Sequence, residues 1–330
     1  MPYDFIAIGD TVTDAFIRLI NASVHCKVNR EDCEICMAFG DKIPYEDVWI
    51  VPAVGNSANA AVAAARLGLK SALVANIGDD LQGKECLAAL AAEKVGTEFV
   101  AINTGIKTNY HYVLWYEDDR TILIKHEKYN YGMPSIDDPK WIYLSSLGDH
   151  TEAFHDVIAD YLEAHPSVKL AFQPGTFQIK LGKERLARIY KRSEAFFCNR
   201  QEAERILGMP ENTDLKALMN GIRALGPRVV VITDGPLGAY ALDEEGRTWQ
   251  MPIYPDPKPP YERTGAGDAF SSTFTVALAL GLPVTDALRW APVNSMSVVQ
   301  YVGAREGLLT HEKLAEWLKK APAEYQPKQI

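Results

Sequence analysis

Short apolar runs alternate with amphipathic or alanine-rich segments along most of the chain. A buried first strand that ends at a glycine is predicted over residues 3–9. The alanine-rich stretch 56–67 predicts a helix that ends at Gly68, and the apolar run 71–77 predicts the next strand. A second helix is predicted over 81–93. This order of strand, helix and strand is typical of a parallel sheet.

The same alternation continues towards the end of the chain. Further strands are predicted over 141–145, 168–172, 195–198 and 228–233. Further helices are predicted over 151–164, 181–191, 200–207, 213–224, 268–280, 285–300 and 311–319. The pattern predicts one α/β domain, residues 1–330, in which helices cover both faces of a mostly parallel central sheet. The residues from about Pro322 onward are expected to be loose.

Two stretches interrupt the alternation. Residues 13–51 contain short β-like pieces and a long irregular insert, 21–47. Residues 108–129 are typical of a β-hairpin that turns at Glu117-Asp118-Asp119. Together the two stretches predict a small β-sheet that stands off the main one and serves as a lid, a dimer surface or both. A homodimer through this lid is therefore expected.

Composition and charge exclude several classes of protein. The 330 residues are 47% hydrophobic and 23% charged, which is ordinary for a soluble globular protein. The net charge of −9 disfavours nonspecific binding to nucleic acid or to an anionic membrane surface. No apolar run approaches the roughly 18 residues of a membrane span, and no signal peptide is visible. These features predict a cytoplasmic protein with no nucleic-acid or membrane partner.

The cysteines bear on the same question. The sequence contains five: Cys26, Cys33, Cys36, Cys86 and Cys198. An odd, sparse set in a chain of this length favours reduced thiols. A zinc site built on the insert cysteines and His25 is one interpretation, but only one C-x-x-C pair is present. A loop with buried thiols is the interpretation that the spacing favours.

The candidate chemistry centres on a glycine-rich turn that leads straight into a predicted helix. The run is Arg263-Thr264-Gly265-Ala266-Gly267-Asp268-Ala269-Phe270. Its small residues leave the backbone N–H groups of 265–267 bare, and the helix N-terminus adds about half a positive charge there. These features predict an anion hole. A carboxylate beside it is explained if Asp268 takes a proton from a hydroxyl that attacks a phosphorus atom held in the hole.

Three further motifs accompany the glycine turn. They are Ala53-Val54-Gly55-Asn56-Ser57-Ala58-Asn59, then Asn199-Arg200-Gln201-Glu202, then Thr233-Asp234-Gly235-Pro236-Leu237-Gly238. In this order and spacing the chain resembles the ribokinase-like (PfkB) family of carbohydrate and nucleoside kinases over nearly its whole length. The resemblance implies the ribokinase-like α/β fold and an ATP-dependent phosphotransferase that uses Mg²⁺.

The resemblance also implies a role for each matching residue. The catalytic residues that it implies are the base Asp268 and the anion-hole residues Gly265, Ala266 and Gly267. The substrate-binding residues are Asp14, Gly55 and Asn59, and carboxylate and amide groups suit the hydroxyls of a sugar. The nucleotide-binding residues are Asn199, Thr233, Gly235, Gly238 and Asn294. Glu202, with Asn199, is implied to organise Mg²⁺. The adenine-side asparagine of the family falls nearer Pro292 than Asn294 in this sequence.

The sequence departs from the family pattern in two places. Val54-Gly55 replaces a glycine pair, so the sugar-side wall is bulkier. Glu262-Arg263 replaces Asp-Thr, whose aspartate helps to hold a monovalent cation in members that use one. Gly303-Ala304 matches a late turn where some members bind that cation, so cation activation stays open. We hypothesise that Arg263 reaches a phosphate, with an ordinary surface arginine as the alternative.

The sequence therefore predicts a kinase that transfers the γ-phosphoryl group of ATP to a primary hydroxyl of a sugar. A nucleoside kinase, with an aromatic side chain stacked on the acceptor base, is one alternative. A sugar-phosphate kinase is another, with Arg263, Lys107 and Lys125 as the extra cations. A non-catalytic ligand-binding relative is a third, although such a protein is expected to lose the base. The identity of the acceptor and the role of insert 21–47 stay open.

Overall fold

The structure, a computed structural model, describes residues 2–26, 33–117 and 119–330. Within these ranges the strands are β1 (Phe5–Ile8), β2 (Val12–Leu19), β3 (Ser23–His25), β4 (Glu34–Cys36), β5 (Tyr45–Val54), β6 (Ser71–Gly78), β7 (Val100–Asn103), β8 (Tyr110–Tyr116), β9 (Asp119–Leu123), β10 (Trp141–Leu144), β11 (Lys169–Phe172), β12 (Ser193–Asn199), β13 (Val229–Thr233), β14 (Ala239–Leu242), β15 (Thr248–Met251) and β16 (Lys328–Gln329). The helices there are α1 (Asn56–Arg66), α2 (Leu81–Ala92), α3 (Glu152–Ala164), α4 (Thr176–Leu181), α5 (Ala187–Arg192), α6 (Arg200–Leu207), α7 (Leu215–Ala224), α8 (Ala266–Ala279), α9 (Val284–Val298) and α10 (His311–Lys320).

The central sheet has the strand order β16-β15-β14-β13-β12-β11-β10-β1-β6-β7 within the described ranges. The strands from β13 to β7 in this order pair in parallel. Strands β14, β15 and β16 extend the sheet in antiparallel fashion. The prediction of a mostly parallel sheet is confirmed. The antiparallel edge was not predicted: β14 and β15 follow short turns, and β16 comes from the end of the chain.

Side chains of the central strands alternate between two cores, one on each face of the sheet. On β1, Phe5 and Ala7 belong to the core that α1, α8 and α9 cover, while Ile6 and Ile8 belong to the core that α3, α6 and α7 cover. Burial on both faces explains why these strands read as continuous apolar runs. The predicted helices on both faces are therefore confirmed. Within the described ranges, none of the helices combines the length and apolar character needed to cross a membrane.

A second sheet, here called the small sheet, has the order β5-β2-β8-β9. Strands β2 and β5 come from the first interrupting stretch, and β8 and β9 come from the second. The predicted separate small sheet is therefore confirmed. Asp118, in the predicted hairpin turn, lies outside the described residues.

Two predictions about single segments are wrong. The predicted helix 181–191 forms only as α5, Ala187–Arg192; its first predicted residue, Leu181, instead ends α4, where Gly182 takes a φ of 88°. The end of the chain is not loose: Tyr325 is 1% exposed, its hydroxyl donates to the carbonyl oxygen of Arg289 at 2.7 Å, and β16 pairs with β15.

The insert cysteines also differ from the expectation of reduced, buried thiols. Strands β3 and β4 pair antiparallel, so the ends of this hairpin bring Cys26 and Cys33 to a Cα–Cα distance of 4.0 Å, and they form a disulfide. Both residues are exposed, and Cys36 is half-buried with a free thiol. Residues 27–32 lie outside the described part of the chain. Among the residues that are described, no His, Cys, Asp and Glu cluster could hold a metal ion, so the zinc interpretation gains no support.

Candidate active site

Polar side chains gather where the parallel strands end. Asp10 follows β1, Gln173 follows β11, and Thr233 ends β13. Parallel strands bring their carboxyl ends to one edge of a sheet, and ligands of open α/β sheets bind in the crevice outside that edge. The first turn of α8 reaches the same edge, because the Nε2 atom of Gln173 donates to Oδ1 of Asp268 at 3.3 Å.

Asp268 is held between two amide side chains. Asn59 of α1 donates from Nδ2 to Oδ2 of Asp268 at 2.8 Å, on the opposite side from Gln173. Burial raises the pKa of Asp268 to about 6, and the two amide donors act against this rise. The negative charge of Glu202 adds to the rise. A carboxyl group with a pKa near neutrality is well matched to general base catalysis.

The glycine turn before Asp268, predicted to form an anion hole, caps the start of α8. Gly265 caps α8 with φ 81° and ψ −1°, the left-handed region that favours glycine. A Cβ at this position would lie 2.2 Å from the Cβ of Ala304, so the turn has no room for a larger residue. Gly267 is exposed, and a Cβ added there would lie 3.9 Å from Nε2 of Gln173. The first N–H groups of an α-helix have no partner within the helix.

A cavity of about 410 Å³ opens beside this turn. Thr233, Gly235 and Gly238 line one part of it, and Ala266 and Gly267 line another. The volume lies within the range of roughly 300–1,000 Å³ found for small-molecule sites. The cavity therefore joins three of the predicted nucleotide-binding residues to the predicted anion hole.

One face of α9 forms an apolar wall of the cavity. The lining residues of this helix and its end are Pro292, Ser295, Met296 and Val299. Their spacing of three, four and seven positions puts them on one helix face. Sequence reasoning missed this wall except for noting Pro292, although the helical periodicity of the four positions was visible.

Asn294, predicted to bind the nucleotide, is not among the residues that line the cavity. It is fully buried on another face of α9. Its Nδ2 atom donates to Oγ1 of Thr273 at 2.8 Å, and its Oδ1 atom accepts the N–H of Leu309 at 2.9 Å. The reason is the helical repeat of about 100° per residue, which turns position 294 inward when 292 and 295 face the cavity.

Arg263 is exposed and lines the cavity together with Ala266 and Gly267. Asp256 lines the same cavity, and burial raises its pKa while the positive charge of Arg263 lowers it. The guanidinium group is thus on the same side of Asp268 as the predicted nucleotide residues rather than on the side of Asp14 and Asn59.

Asn199 and Glu202 form a capping box at the start of α6. The Oδ1 atom of Asn199 accepts the N–H of Glu202 at 2.8 Å, and Oε2 of Glu202 accepts the N–H of Asn199 at 2.8 Å. Burial raises the pKa of Glu202, whereas its bond from Asn199 and the charge of Arg205 lower it. Because its charge also affects Asp268, the Glu202 carboxylate belongs to the same electrostatic neighbourhood.

The predicted substrate residues lie between α1 and the small sheet. Asp14 of β2 is 8% exposed. Its Oδ1 atom is 3.4 Å from Nδ1 of His111, the residue opposite Asp14 on the neighbouring strand β8. Gly55 caps α1 with φ 107°, and a Cβ there would lie 2.8 Å from the Asp10 carbonyl oxygen. Asn59 keeps a buried Oδ1 atom without a hydrogen-bond partner among the described residues. Buried polar atoms normally have partners, so these open positions suit a ligand.

Sequence reasoning missed Asp10, which is 5% exposed beside this group. Its Oδ2 atom accepts the N–H of Gly148 at 2.7 Å and is 3.1 Å from Nδ1 of His126. Its Oδ1 atom accepts the hydroxyl of Tyr131 at 2.8 Å, and burial raises the pKa of that phenol. Its position could have indicated a site residue, because Asp10 directly follows the predicted strand 3–9. Gln173 directly follows the predicted strand 168–172 in the same way.

Comparison with known proteins adds to this geometry. The sequence model of the family described as "pfkB family carbohydrate kinase" matches residues 39–311. A ribokinase of Bacillus subtilis (strain 168) is 28% identical over 272 residues, which cover 80% of this chain and 87% of that protein. A nucleoside kinase of Methanothermobacter thermautotrophicus is 23% identical over 258 residues, which cover 77% and 80%.

Solved structures share the fold. The ribokinase of Arabidopsis thaliana complexed with ribose and ATP has a TM-score of 0.76 and 19% identity, covering 97% of this chain and 99% of that chain. The nucleoside kinase of Methanocaldococcus jannaschii has a TM-score of 0.75 and 18% identity, covering 97% and 100%. The predicted ribokinase-like fold is therefore confirmed.

Proposed function

Since this chain belongs to the pfkB family of carbohydrate kinases, we propose that it transfers the γ-phosphoryl group of ATP to a primary hydroxyl of a sugar. One observation carries the proposal. The amide side chains of Asn59 and Gln173 hold the Asp268 carboxylate in the first turn of α8, directly after the turn at 265–267. Phosphotransfer to an alcohol is the activity of the family's sugar kinases. Asp268 as base and 265–267 as anion hole are our assignments.

The proposed reaction moves one proton and one phosphoryl group. The acceptor hydroxyl gives its proton to Asp268 as its oxygen bonds to the γ-phosphorus, and the bond from that phosphorus to the ADP oxygen breaks. A pKa of about 6 leaves Asp268 ionised at neutral pH and still able to hold the proton. The N–H groups of 265–267 would stabilise the charge on the transferred group, and one preorganised donor is worth about 10²–10³ in kcat.

ATP is proposed to bind in the cavity. Thr233, Gly235 and Gly238 would lie along the nucleotide, with Asn199 at its phosphate end, and the apolar face of α9 suits an adenine ring. Arg263 is proposed to contact a phosphate of ATP, because its planar fork matches phosphate oxygens. Its place on the cavity supports that role over an ordinary surface arginine.

Mg²⁺ would be held by Glu202 with Asn199. Mg²⁺ is usually bound by one or two carboxylates together with waters and substrate phosphates, rather than by an all-protein cage. A single partly buried carboxylate near Asp268 fits that requirement. When bound, the ion would neutralise charge on the phosphates of ATP.

A sugar is the proposed acceptor because the open polar atoms suit hydroxyl groups. Asp14 and Asn59 each have a buried side-chain oxygen without a hydrogen-bond partner among the described residues. Gly55, which has no Cβ, lets the start of α1 lie close to the backbone of Asp10 beside them. A sugar phosphate is the second candidate, since Lys107 and Lys125 line an open cavity beside His126. Lys125 is partly engaged there by Glu127, at 2.6 Å.

The small sheet is proposed to act as a lid and as a dimer surface. Ile50, Ala15, Tyr112 and Leu123 form one row across its four strands. Ile50, Tyr112 and Leu123 are exposed by 57%, 50% and 51%. Exposed apolar patches often mark interaction sites, so a second copy of this chain is the proposed partner, and light scattering would give the mass of a dimer.

A cytoplasmic location is proposed from the need for ATP, because the Cys26–Cys33 disulfide removes the argument from reduced thiols.

The test of this function is a panel of sugars, sugar phosphates and nucleosides assayed for acceptor-dependent ADP release. We expect release with a sugar, and phosphorus NMR of the product should locate the new ester on a primary hydroxyl. Ligand-dependent shifts in melting temperature without ADP release from any acceptor would overturn the proposal in favour of a binding protein. Turnover only with nucleosides or only with sugar phosphates would overturn the choice of acceptor.

A further inference from the structure

A buried carboxylate lies in the loop that leads to the anion hole. Glu262 is 2% exposed. Its Oε1 atom accepts the N–H of Thr264 at 2.7 Å and also the Thr264 hydroxyl, and its Oε2 atom is 3.4 Å from the N–H of Gly303. One carboxylate therefore joins the turn before Gly265 to the turn before Ala304.

These two turns touch each other directly. The space where Gly265 would carry a Cβ is filled by Ala304, whose Cα atom is only 2.5 Å from that position. Packed interiors transmit displacements because they contain few voids. A shift of the Glu262 carboxylate would therefore move both turns, and with them the N–H groups of 265–267.

The positive charge beside Glu262 comes from the small sheet. The Nε atom of Arg120, on β9, is 3.3 Å from Oε1 of Glu262. This buried Nε atom has no hydrogen-bond partner among the described residues, so the contact is an ion pair. The other ionic contact of Arg120 is Asp119, at 3.6 Å, whose side chain is 83% exposed. Leaving a buried carboxylate without a partner of opposite charge is strongly unfavourable. Arg120 supplies that positive charge to Glu262.

An aromatic contact supports the same junction. Trp115 lies opposite Arg120 in the β8–β9 register and is 1% exposed. Its ring centroid is 5.0 Å from that of Tyr261, the residue before Glu262. The small sheet thus meets the loop at two adjacent positions, one apolar and one ionic.

We propose that Arg120 is a positioning residue for phosphoryl transfer. Its guanidinium neutralises Glu262 when the small sheet lies against the loop, and the neutralised carboxylate holds the two turns that shape the anion hole. The proposal rests on the function proposed above, because the hole must serve the transferred phosphoryl group.

The proposal also bears on the monovalent cation that the family resemblance raised. The Oε1 atom of Glu262 is already shared by the Thr264 backbone, the Thr264 hydroxyl and Arg120. These contacts do not fit a cation site built on Glu262, since a fixed positive charge occupies the place beside it. The wild-type enzyme is therefore expected to turn over equally well with and without added K⁺.

The kinetic test compares Arg120→Ala with Arg120→Lys and with a matched control, Asp119→Asn. Arg120→Ala should lower kcat about tenfold or more while the KM for ATP changes less than about threefold, as for a residue that acts on the transition state. Arg120→Lys keeps the charge without the planar fork and should fall between Arg120→Ala and wild type. Asp119→Asn removes only the exposed partner of Arg120 and should stay within about twofold of wild type.

Glu262→Gln tests whether the effect runs through the carboxylate. In a double-mutant cycle, Arg120→Ala should cost much less kcat in the Glu262→Gln background than in wild type, because no buried charge is left to neutralise. Millimolar guanidinium, or K⁺, should restore part of the kcat of Arg120→Ala and should do nothing for the double variant. Additive losses, or no rescue by either cation, would overturn the proposal.

Hydrogen exchange gives a readout that does not need turnover. Peptides that cover 262–270 should exchange faster in Arg120→Ala than in wild type and at the wild-type rate in Asp119→Asn. If the wild type turns over but Arg120→Ala matches it in kcat and exchange, the positioning role is refuted. If exchange changes as expected but the wild type phosphorylates no acceptor, the coupling stands and the proposed kinase function fails.

Discussion

Asn59 donates a hydrogen bond to Oδ2 of Asp268 at 2.8 Å, although 209 positions separate the two residues in the chain. The donor lies on α1 and the acceptor in the first turn of α8. The same amide keeps its Oδ1 atom buried and without a partner among the described residues. One side chain therefore contacts the proposed base and also offers an oxygen to the proposed acceptor, so changes at position 59 should affect both.

The pH dependence of kcat/KM should report the pKa of Asp268. Burial raises this pKa to about 6, and the base works only when it is ionised. Activity should therefore fall as the pH drops through about 6, by about tenfold per pH unit below it. A pH profile with an acid limb near the usual aspartate value of about 4 would contradict the assignment.

Removing Asn59 should move that limb to higher pH. The Asn59 amide lowers the pKa of Asp268 against the effect of burial, so Asn59→Ala should raise the pKa further and shift the acid limb above its wild-type position. The KM for the acceptor should also rise, because the free Oδ1 atom is lost.

Gln173→Ala is the matched control for Asn59→Ala. Gln173 also donates to Asp268 and lowers its pKa, so this variant should shift the limb in the same direction. The proposed acceptor oxygen on Asn59 is untouched, so the acceptor KM should change less than in Asn59→Ala. Equal changes in acceptor KM for both variants would contradict the distinction between the two amides.

The sequence was informative where local pattern decides structure. The glycine turn at 265–267 predicts a capped helix start because small residues permit the left-handed conformation seen at Gly265. The bounds of α6, 200–207, match the prediction because a capping box and a following glycine mark both ends.

The parts that sequence reasoning missed depend on contacts between distant segments. Asp10 and Gln173 become recognisable only when the parallel sheet brings their strand ends together. The inward orientation of Asn294 depends on the rotation of α9, which a motif match does not specify. Pairing of Cys26 with Cys33 depends on the β3–β4 hairpin inside an insert without clear periodicity.

Arg263 should contribute to ATP binding. It lines the cavity next to Ala266 and Gly267, and loss of one guanidinium contact to phosphate, worth about 1.5–3 kcal/mol for a charged hydrogen bond, should raise the KM for ATP about tenfold or more in Arg263→Ala. Arg263→Lys should recover only part of this, because lysine lacks the bidentate fork. Unchanged KM and kcat in Arg263→Ala would leave it as a surface arginine.

Asn294 should matter for stability rather than for ATP. Asn294→Ala leaves the Thr273 hydroxyl and the Leu309 N–H without their partner, which should cost about 1–3 kcal/mol of unfolding free energy. Its KM for ATP should stay within about twofold of wild type. Met296→Ala, on the cavity face of the same helix, should weaken ATP binding, and because Met296 is also 4% exposed and packed in the core it should lower the free energy of unfolding by about 2–5 kcal/mol. Denaturant unfolding and ATP titration of both variants would check this.

The central claim is that Asp268 removes the proton of the acceptor hydroxyl, and single-turnover phosphoryl transfer by Asp268→Asn tests it most directly. With ATP and acceptor both bound, as shown by ligand-dependent shifts in melting temperature, the variant should transfer phosphate about 10²–10⁴ times more slowly than wild type, the usual contribution of a general base. Transfer within about tenfold of the wild-type rate would contradict the account.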